Sequence, residues 1–470
     1  MKQSKYKQVM NLITAKITGG EWTIGSQIPS QRELAKLFQV NRSTIITAIE
    51  ELKADGLLVS HVGKGTIVAN NTWSLMKVDK PINWSGNITL GMHKESMKTV
   101  KMINELEAKE ELIQLGKSEL SPDLFPKAAF QNIVQNVSST LYSLGYEEPK
   151  GNLKLRETIC HQLKSKGIQA SPSSVLIVSG ALQALQLISI GLLNKGSTVY
   201  VERPSYVLSL SIFQSGGMKL ETIPADLECP IPKGMKDLHN SKAYSVLYTI
   251  PTFHNPTGYV MSERRREQLM QLCEDEQIPI IEDDVYGDLW IDDKPPKPLK
   301  ASDTYGNVLY VGSLSKTLAP GLRIGWVVGP ESVIDRLADL KMQTDYGSSS
   351  LSQHVAAEWL KSENYELHLA KVREELKIRR NIALNALSKH LSSVAEWNVP
   401  KGGFFIWLKI LPPIQNKHLF EKALSAGILI NPGNIYDKHS TQYIRLSYGF
   451  AAYEEIEAGI RKLGEMLKNI

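Results

Sequence analysis

Between residues 175 and 316, short apolar runs alternate with amphipathic ones, and this alternation restricts the fold more than any other feature. "SVLIVSG", "STVYVERPSY", "AYSVLYTIP", "IPIIEDDVY" and "NVLYVGSLSK" have the length and apolar content of buried strands. "ALQALQLISIGLL" and a stretch from Ser262 to about Gln277 have the length and period of helices. Strands buried on both faces and separated by helices imply an α/β body with a mostly parallel sheet covered on both sides. Ligands of such sheets sit beyond the strand C-termini. The polar residues fall there: Ser179-Gly180, Tyr206, Asn255-Pro256-Thr257-Gly258, Asp283, Tyr286, and Ser313 to Arg323.

A chain of 470 residues is too long for one core and predicts about three units. Hydrophobic and charged contents of 42% and 22% exclude disordered and fibrous classes. No apolar run has the roughly 18 residues of a membrane span, no secretory leader is readable, and no metal site is expected. Cys160, Cys229 and Cys273 are far apart and lack C-x-x-C spacing, which fits reduced thiols in a cytoplasmic protein. Charge is uneven. Residues 1–69 hold nine basic residues against five acidic ones, a balance suited to a phosphate backbone.

In this head, Tyr6, Val9, Ile13 and Ile17 recur at helical spacing until Gly19-Gly20. Ser30-Gln31-Arg32-Glu33 has the form of a capping box and predicts a second helix that buries Leu34 and Leu37. Asn41 is placed to cap a third helix with Ile45, Ala48, Ile49 and Leu52 inward and Asp55-Gly56 at its end. "LLVSHVGKGTIVA" then reads as a hairpin, or wing, around Gly63-Lys64-Gly65. Arg42, Ser43 and Thr44 open the third helix, where side chains and N-terminal amides can face double-stranded DNA. Arg32 and Lys64 are expected phosphate contacts.

Residues 28–69 resemble the winged helix-turn-helix of the GntR family. Its pattern of P-S-x-R-x-L-A, V-x-R-x-T-(V/I), L-x-x-x-G-L and G-x-G-T appears here in order, from Pro29-Ser30 to Gly63-Lys64-Gly65-Thr66. Residues 70–110 show no strong amphipathic period and read as a linker. If flexible, they would span about 35 Å, with Trp73 and Trp84 able to shorten that reach by packing on the body.

The polar residues of the body suit one chemistry. A lysine desolvated at a sheet edge becomes a nucleophile able to form a Schiff base, which makes Lys316 in "SLSKTLAPGLRIGW" the candidate. Asp283 could hold a pyridinium nitrogen protonated, Tyr286 and Asn255 could bond a phenolic oxygen, and Tyr206 could stack on a flat ring. Ser313, Ser315 and Arg323 could hold a phosphate.

From about residue 115 to 470 the chain resembles the pyridoxal-phosphate (PLP) aminotransferases of fold type I, class I/II. "YEEPKGNLKLRETI", "PTFHNPTG", "IIEDDVYGDL", "SLSKTLAPGLRIGW" and "YIRLSYG" match that family's segments. The resemblance implies a large part at about 120–330 with a mostly parallel sheet and a smaller C-terminal α+β part at about 335–470. It makes Lys316 the Schiff-base and proton-transfer lysine, and Asp283 the partner of the ring nitrogen. Asn255 and Tyr286 become the ligands of the ring oxygen, Tyr206 the stacking ring, and Ser313, Ser315 and Arg323 the phosphate ligands. Arg445, together with Asn255, becomes the carboxylate clamp, and Tyr146 the tyrosine that reaches the phosphate across a homodimer interface. The first phosphate loop departs from the family's S-G-S-Q-Q-A-L, since this chain reads Ser179-Gly180-Ala181-Leu182-Gln183-Ala184-Leu185. The amides at Gly180 and Ala181 can still hold phosphate, so weaker cofactor affinity is expected rather than none.

A GntR-like head (1–69), a linker (70–110) and an aminotransferase-like body (111–470) resemble together the MocR subfamily of bacterial transcriptional regulators. The resemblance implies a PLP-dependent regulator whose DNA binding responds to an amino acid or similar amino compound. A working aminotransferase with an accessory DNA-binding head is the alternative. A body that has lost PLP is disfavoured by the presence of Lys316, Asp283, Asn255 and Arg323.

Overall fold

The computed structural model describes residues 4–61, 65–69, 95–224, 244–413 and 416–468. The chain divides into two units, Met1–Gly91 and Met92–Ile470. In the first, α1 (Lys5–Thr18) buries Val9, Ile13 and Ile17, while Tyr6 is half-buried. The capping box forms as expected at α2 (Gln31–Leu37): Ser30 Oγ accepts from Glu33 N at 3.3 Å, and the Glu33 carboxylate accepts from Ser30 N at 2.7 Å. Such a cap stabilises a short helix by about 1 kcal/mol.

Leu34 is fully buried, but Leu37 is 55% exposed, which corrects the expectation for that residue. The chain turns through a left-handed Gln39, and Phe38 and Val40 pack on the core instead. In α3 (Arg42–Ala54), Ile45, Ala48, Ile49 and Leu52 are buried as the spacing predicts. Asn41 occupies the cap position, yet its side chain makes no capping bond, so the expected side-chain cap is absent there. Gly56, at φ +72°, closes the helix. Antiparallel β1 (Leu58–His61) and β2 (Gly65–Val68) follow, with Leu58 opposite Val68. Lys64 and Gly63 lie outside the described residues, as do Trp73, Trp84 and Cys229.

The second unit begins with a helix that the sequence reading did not contain. α4 (Lys98–Leu106) lies within the stretch expected to be linker, and its Ile103 is buried in the core of the body. Two lysines, a glutamate, a threonine and an asparagine interrupt its apolar residues, but Val100, Ile103 and Leu106 share one narrow stripe and pack inward.

The large sheet is assembled from β3 (Val175–Val178), β4 (Thr198–Arg203), β5 (Lys219–Pro224), β6 (Ser245–Thr249), β7 (Ile280–Asp283), β8 (Val308–Ser313) and β9 (Gly325–Val328), in spatial order β3-β9-β8-β7-β6-β4-β5. All neighbours are parallel except β9, which is antiparallel to both β3 and β8. Every residue of β3, β7 and β8 is buried, the signature of strands covered on both faces. α5 (Ala181–Leu192) and α6 (Glu263–Asp275) lie where the sequence places helices, the latter capped by Ser262, whose side chain accepts from Arg265 N.

The smaller part packs α7 (Glu363–Leu391) and α8 (Tyr453–Lys468) with an antiparallel sheet. Its strands are β10 (Ala395–Trp397), β11 (Phe405–Ile410), β12 (Asn431–Pro432) and β13 (Tyr443–Ser447), in order β10-β11-β13-β12. The body is thus an α/β fold with a smaller α+β part. None of the described helices is long and apolar enough to cross a membrane.

Candidate functional site

Parallel strands end together, so β3, β4, β6, β7 and β8 deliver the residues after them to one edge of the sheet. β9 runs the other way and therefore brings Arg323, two residues ahead of its start, to the same edge. A cavity of about 410 Å³ lies there, within the range of small-molecule sites. Its wall brings together Tyr206, Asn255, Asp283, Tyr286, Ser313, Ser315, Lys316, Arg323 and Ala181, with Arg445 from β13.

Lys316 Nζ donates to the Ser118 carbonyl at 2.7 Å and lies 5.9 Å from the centre of the Tyr286 ring. Burial, and then the charge of Arg445, lowers the lysine pKa to about 8. A neutral amine, the nucleophilic form, is therefore accessible near physiological pH. Asp283 ends β7. Its Oδ2 accepts from the Tyr248 hydroxyl at 2.8 Å, while Oδ1 is buried without a partner. Burial raises this carboxyl to about 6 against the lowering effect of the Tyr248 bond. Buried polar atoms are normally satisfied, so an orphaned carboxylate oxygen in a cavity wall fits a cationic donor from a ligand, such as a protonated ring nitrogen.

Asn255 joins two other members of the wall. Its Nδ2 donates to the Tyr286 hydroxyl at 3.3 Å, and its Oδ1 accepts from Arg445 Nη1 at 2.8 Å. Arg445 Nη2 donates to the Gly116 carbonyl and Ser118 Oγ at 2.7 and 2.8 Å, and the guanidinium lies 4.1 Å from the Phe405 ring centre. Tyr206 is fixed through its backbone N–H, which donates to the Asn255 carbonyl at 3.0 Å, and burial raises its hydroxyl to about 12.

At the other end, Ser313 Oγ donates to the Ile324 carbonyl at 3.0 Å and accepts from Ser315 N at 3.1 Å. Arg323 has a left-handed backbone, at φ +53°, a conformation costing a non-glycine residue about 1 kcal/mol or more. It swings the guanidinium to the start of α5, where Nη2 donates to the Ser179 carbonyl at 2.5 Å. Gly180 precedes α5 at φ +88°, and a Cβ there would lie 2.7 Å from Arg323 Nη2. No side chain caps α5. The first-turn amides and the guanidinium thus form a cradle for an anion, and the residues present fit a phosphate.

Tyr146 is not part of this wall. It is 83% exposed, and its ring meets that of Tyr346 with centres 4.8 Å apart. Among the residues that hold or face the site, Tyr248, Gly116, Ser118 and Glu107 were missed by the sequence reading. Only Tyr248, at the end of an apolar strand beside Asp283, carried a usable signal; Ser118 lies 198 residues from Lys316 along the chain.

In the head, Arg32, Arg42 and Ser43 are exposed and Thr44 is half-buried. Gln31 Oε1 accepts from Arg42 Nη2 and Nε at 3.3 and 3.4 Å, which points the guanidinium along the start of α3. Gln31 too was missed, because its role depends on α2 meeting α3.

Comparison with known proteins agrees with both halves. The aminotransferase class I and II model matches residues 110–463, and the model for bacterial regulatory proteins of the gntR family matches residues 5–68. The chain is 56% identical over 469 residues to the uncharacterised HTH-type transcriptional regulator YdfD of Bacillus subtilis, covering 100% of this chain and 97% of that one. It is 37% identical over 447 residues to the HTH-type transcriptional regulator NorG of Staphylococcus aureus, covering 94% and 100%. Among solved structures, Pyrococcus horikoshii kynurenine aminotransferase, in complex with PMP, aligns with a TM-score of 0.76 at 32% identity over 84% of this chain and 98% of that one. Thermus thermophilus LysN, an alpha-aminoadipate aminotransferase complexed with N-(5'-phosphopyridoxyl)-L-leucine, aligns with a TM-score of 0.74 at 27% identity, covering 83% and 99%.

Proposed function

This chain belongs to the class I and II aminotransferase family and, with its gntR-family head, to the MocR subfamily of GntR-type transcriptional regulators; from that premise we propose that its body holds PLP on Lys316 and that an amino compound taken up there alters DNA binding. That it is a DNA-binding regulator with an aminotransferase-like domain follows from the family. The observation that carries the finer reading is the orphaned Oδ1 of Asp283 in the same cavity wall as a lysine lowered to about 8.

When bound, PLP supplies an aldehyde that exchanges one primary amine for another and absorbs visible light. Asp283 holds the proton on the ring nitrogen. Lys316 Nζ gives up and takes back a proton near neutrality. Asn255 and Tyr286 orient the ring oxygen, and Tyr206 covers the ring. Ser313, Ser315, Arg323 and the amides at Gly180 and Ala181 take the phosphate, while Arg445 with Asn255 takes the carboxylate of the incoming compound. Arg42, Ser43, Thr44, Arg32 and Lys64 contact the operator.

In this proposal residues 1–69 form the DNA-binding domain, 70–110 connect it, with α4 of that stretch packed on the body, and 111–470 form the body of a cytoplasmic homodimer in which Tyr146, exposed on one chain, serves the partner's site. A ligand shifts DNA affinity only by its differential affinity for two states, typically about 1–3 kcal/mol.

The test is a visible-absorbance titration of the PLP-loaded chain with a panel of amino acids, with and without a keto acid. A persistent band shift that also changes operator affinity in a mobility-shift assay is expected. A complete panel without any shift would overturn the reading. Repeated conversion to the amine form and recovery with a keto acid would establish the alternative, a turning-over aminotransferase.

A further inference from the structure

The cavity wall carries charged groups that the reading above leaves unused. Glu107, at the end of α4, lines it together with Asn104 and Ile103, and Glu119 stands in the same wall. Among the described residues no hydrogen bond or ion pair holds the Glu107 carboxylate. Lys117 Nζ donates at 3.4 Å to the Glu107 backbone carbonyl, not its side chain, and makes its own ion pair with Glu119 at 3.6 Å. Arg445 bonds Asn255, Gly116 and Ser118 through Nη1 and Nη2 and not Glu107, while its Nε is buried without a partner. Burial holds Glu107 above the usual carboxylate range, with Arg445 the first of the charges that pull it back. The same cavity contains the unpartnered Oδ1 of Asp283, which is 4% exposed, so this is a space shaped for a ligand.

A half-buried carboxylate left without a partner is costly, and the cost is removed by a cation brought to it. The same wall carries the Arg445 guanidinium, suited to a carboxylate, and the amine-accepting Lys316. We propose that Glu107 selects the effector, an amino acid whose side chain ends in a second cationic group, as in a diamino acid. Its carboxylate lies on Arg445, its α-amine reaches the position of Lys316, and its distal ammonium lies against Glu107, with Glu119 adding to the field. A neutral side chain of equal length leaves Glu107 unsatisfied, and an acidic one is repelled. The selecting residue also ends the first described helix after the head, so the effector's distal group engages the segment through which the head is attached.

This inference rests on the proposed uptake of amines at PLP, and the experiment separates the two. The PLP-loaded full chain is titrated with L-ornithine, L-norvaline and L-glutamate while the cofactor absorbance is followed, in the natural chain and in Glu107→Gln and Glu107→Lys. L-Ornithine should half-saturate the natural chain at a concentration at least about tenfold below L-norvaline, with L-glutamate weakest. Glu107→Gln should erase the difference between ornithine and norvaline by weakening ornithine alone. Glu107→Lys should reverse the order in favour of glutamate, a gain that a folding defect cannot produce. Equal half-saturation by ornithine and norvaline in the natural chain, or an ornithine preference that survives in Glu107→Gln, would overturn the inference and leave the uptake reading standing. No shift with any amine would overturn both.

Discussion

Replacing Asp283 with asparagine should stabilise the chain in the absence of cofactor and weaken its hold on the cofactor. The carboxyl titrates near pH 6 in the fold against an ordinary 3.8. At ~1.36 kcal/mol per unit, that gap is about 3 kcal/mol. Below 3.8 both folded and unfolded chains are protonated and the residue costs nothing. As pH rises from 3.8 to 6 the unfolded chain ionises first, so stability falls, and above about 6 the whole cost is present.

Asparagine carries no charge, and its oxygen can still accept from the Tyr248 hydroxyl, now 2.8 Å from Oδ2. Glu202 and Glu282, both raised to about 7 by burial, affect the two chains alike and cancel in the comparison. Thermal melts of cofactor-free protein at pH 7.5 should therefore place Asp283→Asn several degrees above the natural chain, with the gap narrowing toward pH 4. Added PLP should raise the natural chain's midpoint much more than the variant's, because the ring nitrogen has lost its anionic partner. A variant that melts below the natural chain at pH 7.5 without cofactor, or binds PLP equally well, would refute the role given to the buried carboxylate.

Three other outcomes are expected. Arg42→Ala should weaken operator binding by about 1–3 kcal/mol in a mobility-shift assay while the PLP absorbance stays unchanged; unaltered affinity would move recognition away from the start of α3. Lys316→Ala should abolish the borohydride-trapped PLP adduct, whereas an adduct persisting on another lysine would contradict the assignment. Light scattering at micromolar concentration should report a dimer, and a stable monomer with full PLP content would remove the role proposed for Tyr146.

What could be read from the sequence was whatever is written locally. The capping box at Ser30, the inward stripe of α3 and the strands carrying Asp283 and Ser313 each depend on residues a few positions apart, and all are where the pattern puts them. Leu37 differed because the exit of a seven-residue helix is decided by the turn that follows, at Gln39. α4 was hidden by its charges, since three apolar residues suffice when a body is present to receive them. β9 was absorbed into the lysine motif, and its reversed direction has no local signature. The partners of Arg445 at Gly116 and Ser118 lie more than 300 residues away along the chain, so only the closed fold could reveal that pairing.

That reversed strand has a consequence for how a small molecule is kept. The loop from Leu314 to Ile324 is closed by a bond from Leu314 N to the Ile324 carbonyl at 3.1 Å, with Ser313 facing Gly325 across the ladder. Lys316 and Arg323 therefore ride on a single clasp. A phosphorylated aldehyde such as the proposed cofactor would be held at two points, so release by the lysine would leave it anchored at Arg323, near Nζ, at an effective concentration on the order of millimolar. In the proposed function, exchange of one amine for another would thereby be separated from loss of the cofactor to solvent, and the site could be reset many times without being reloaded.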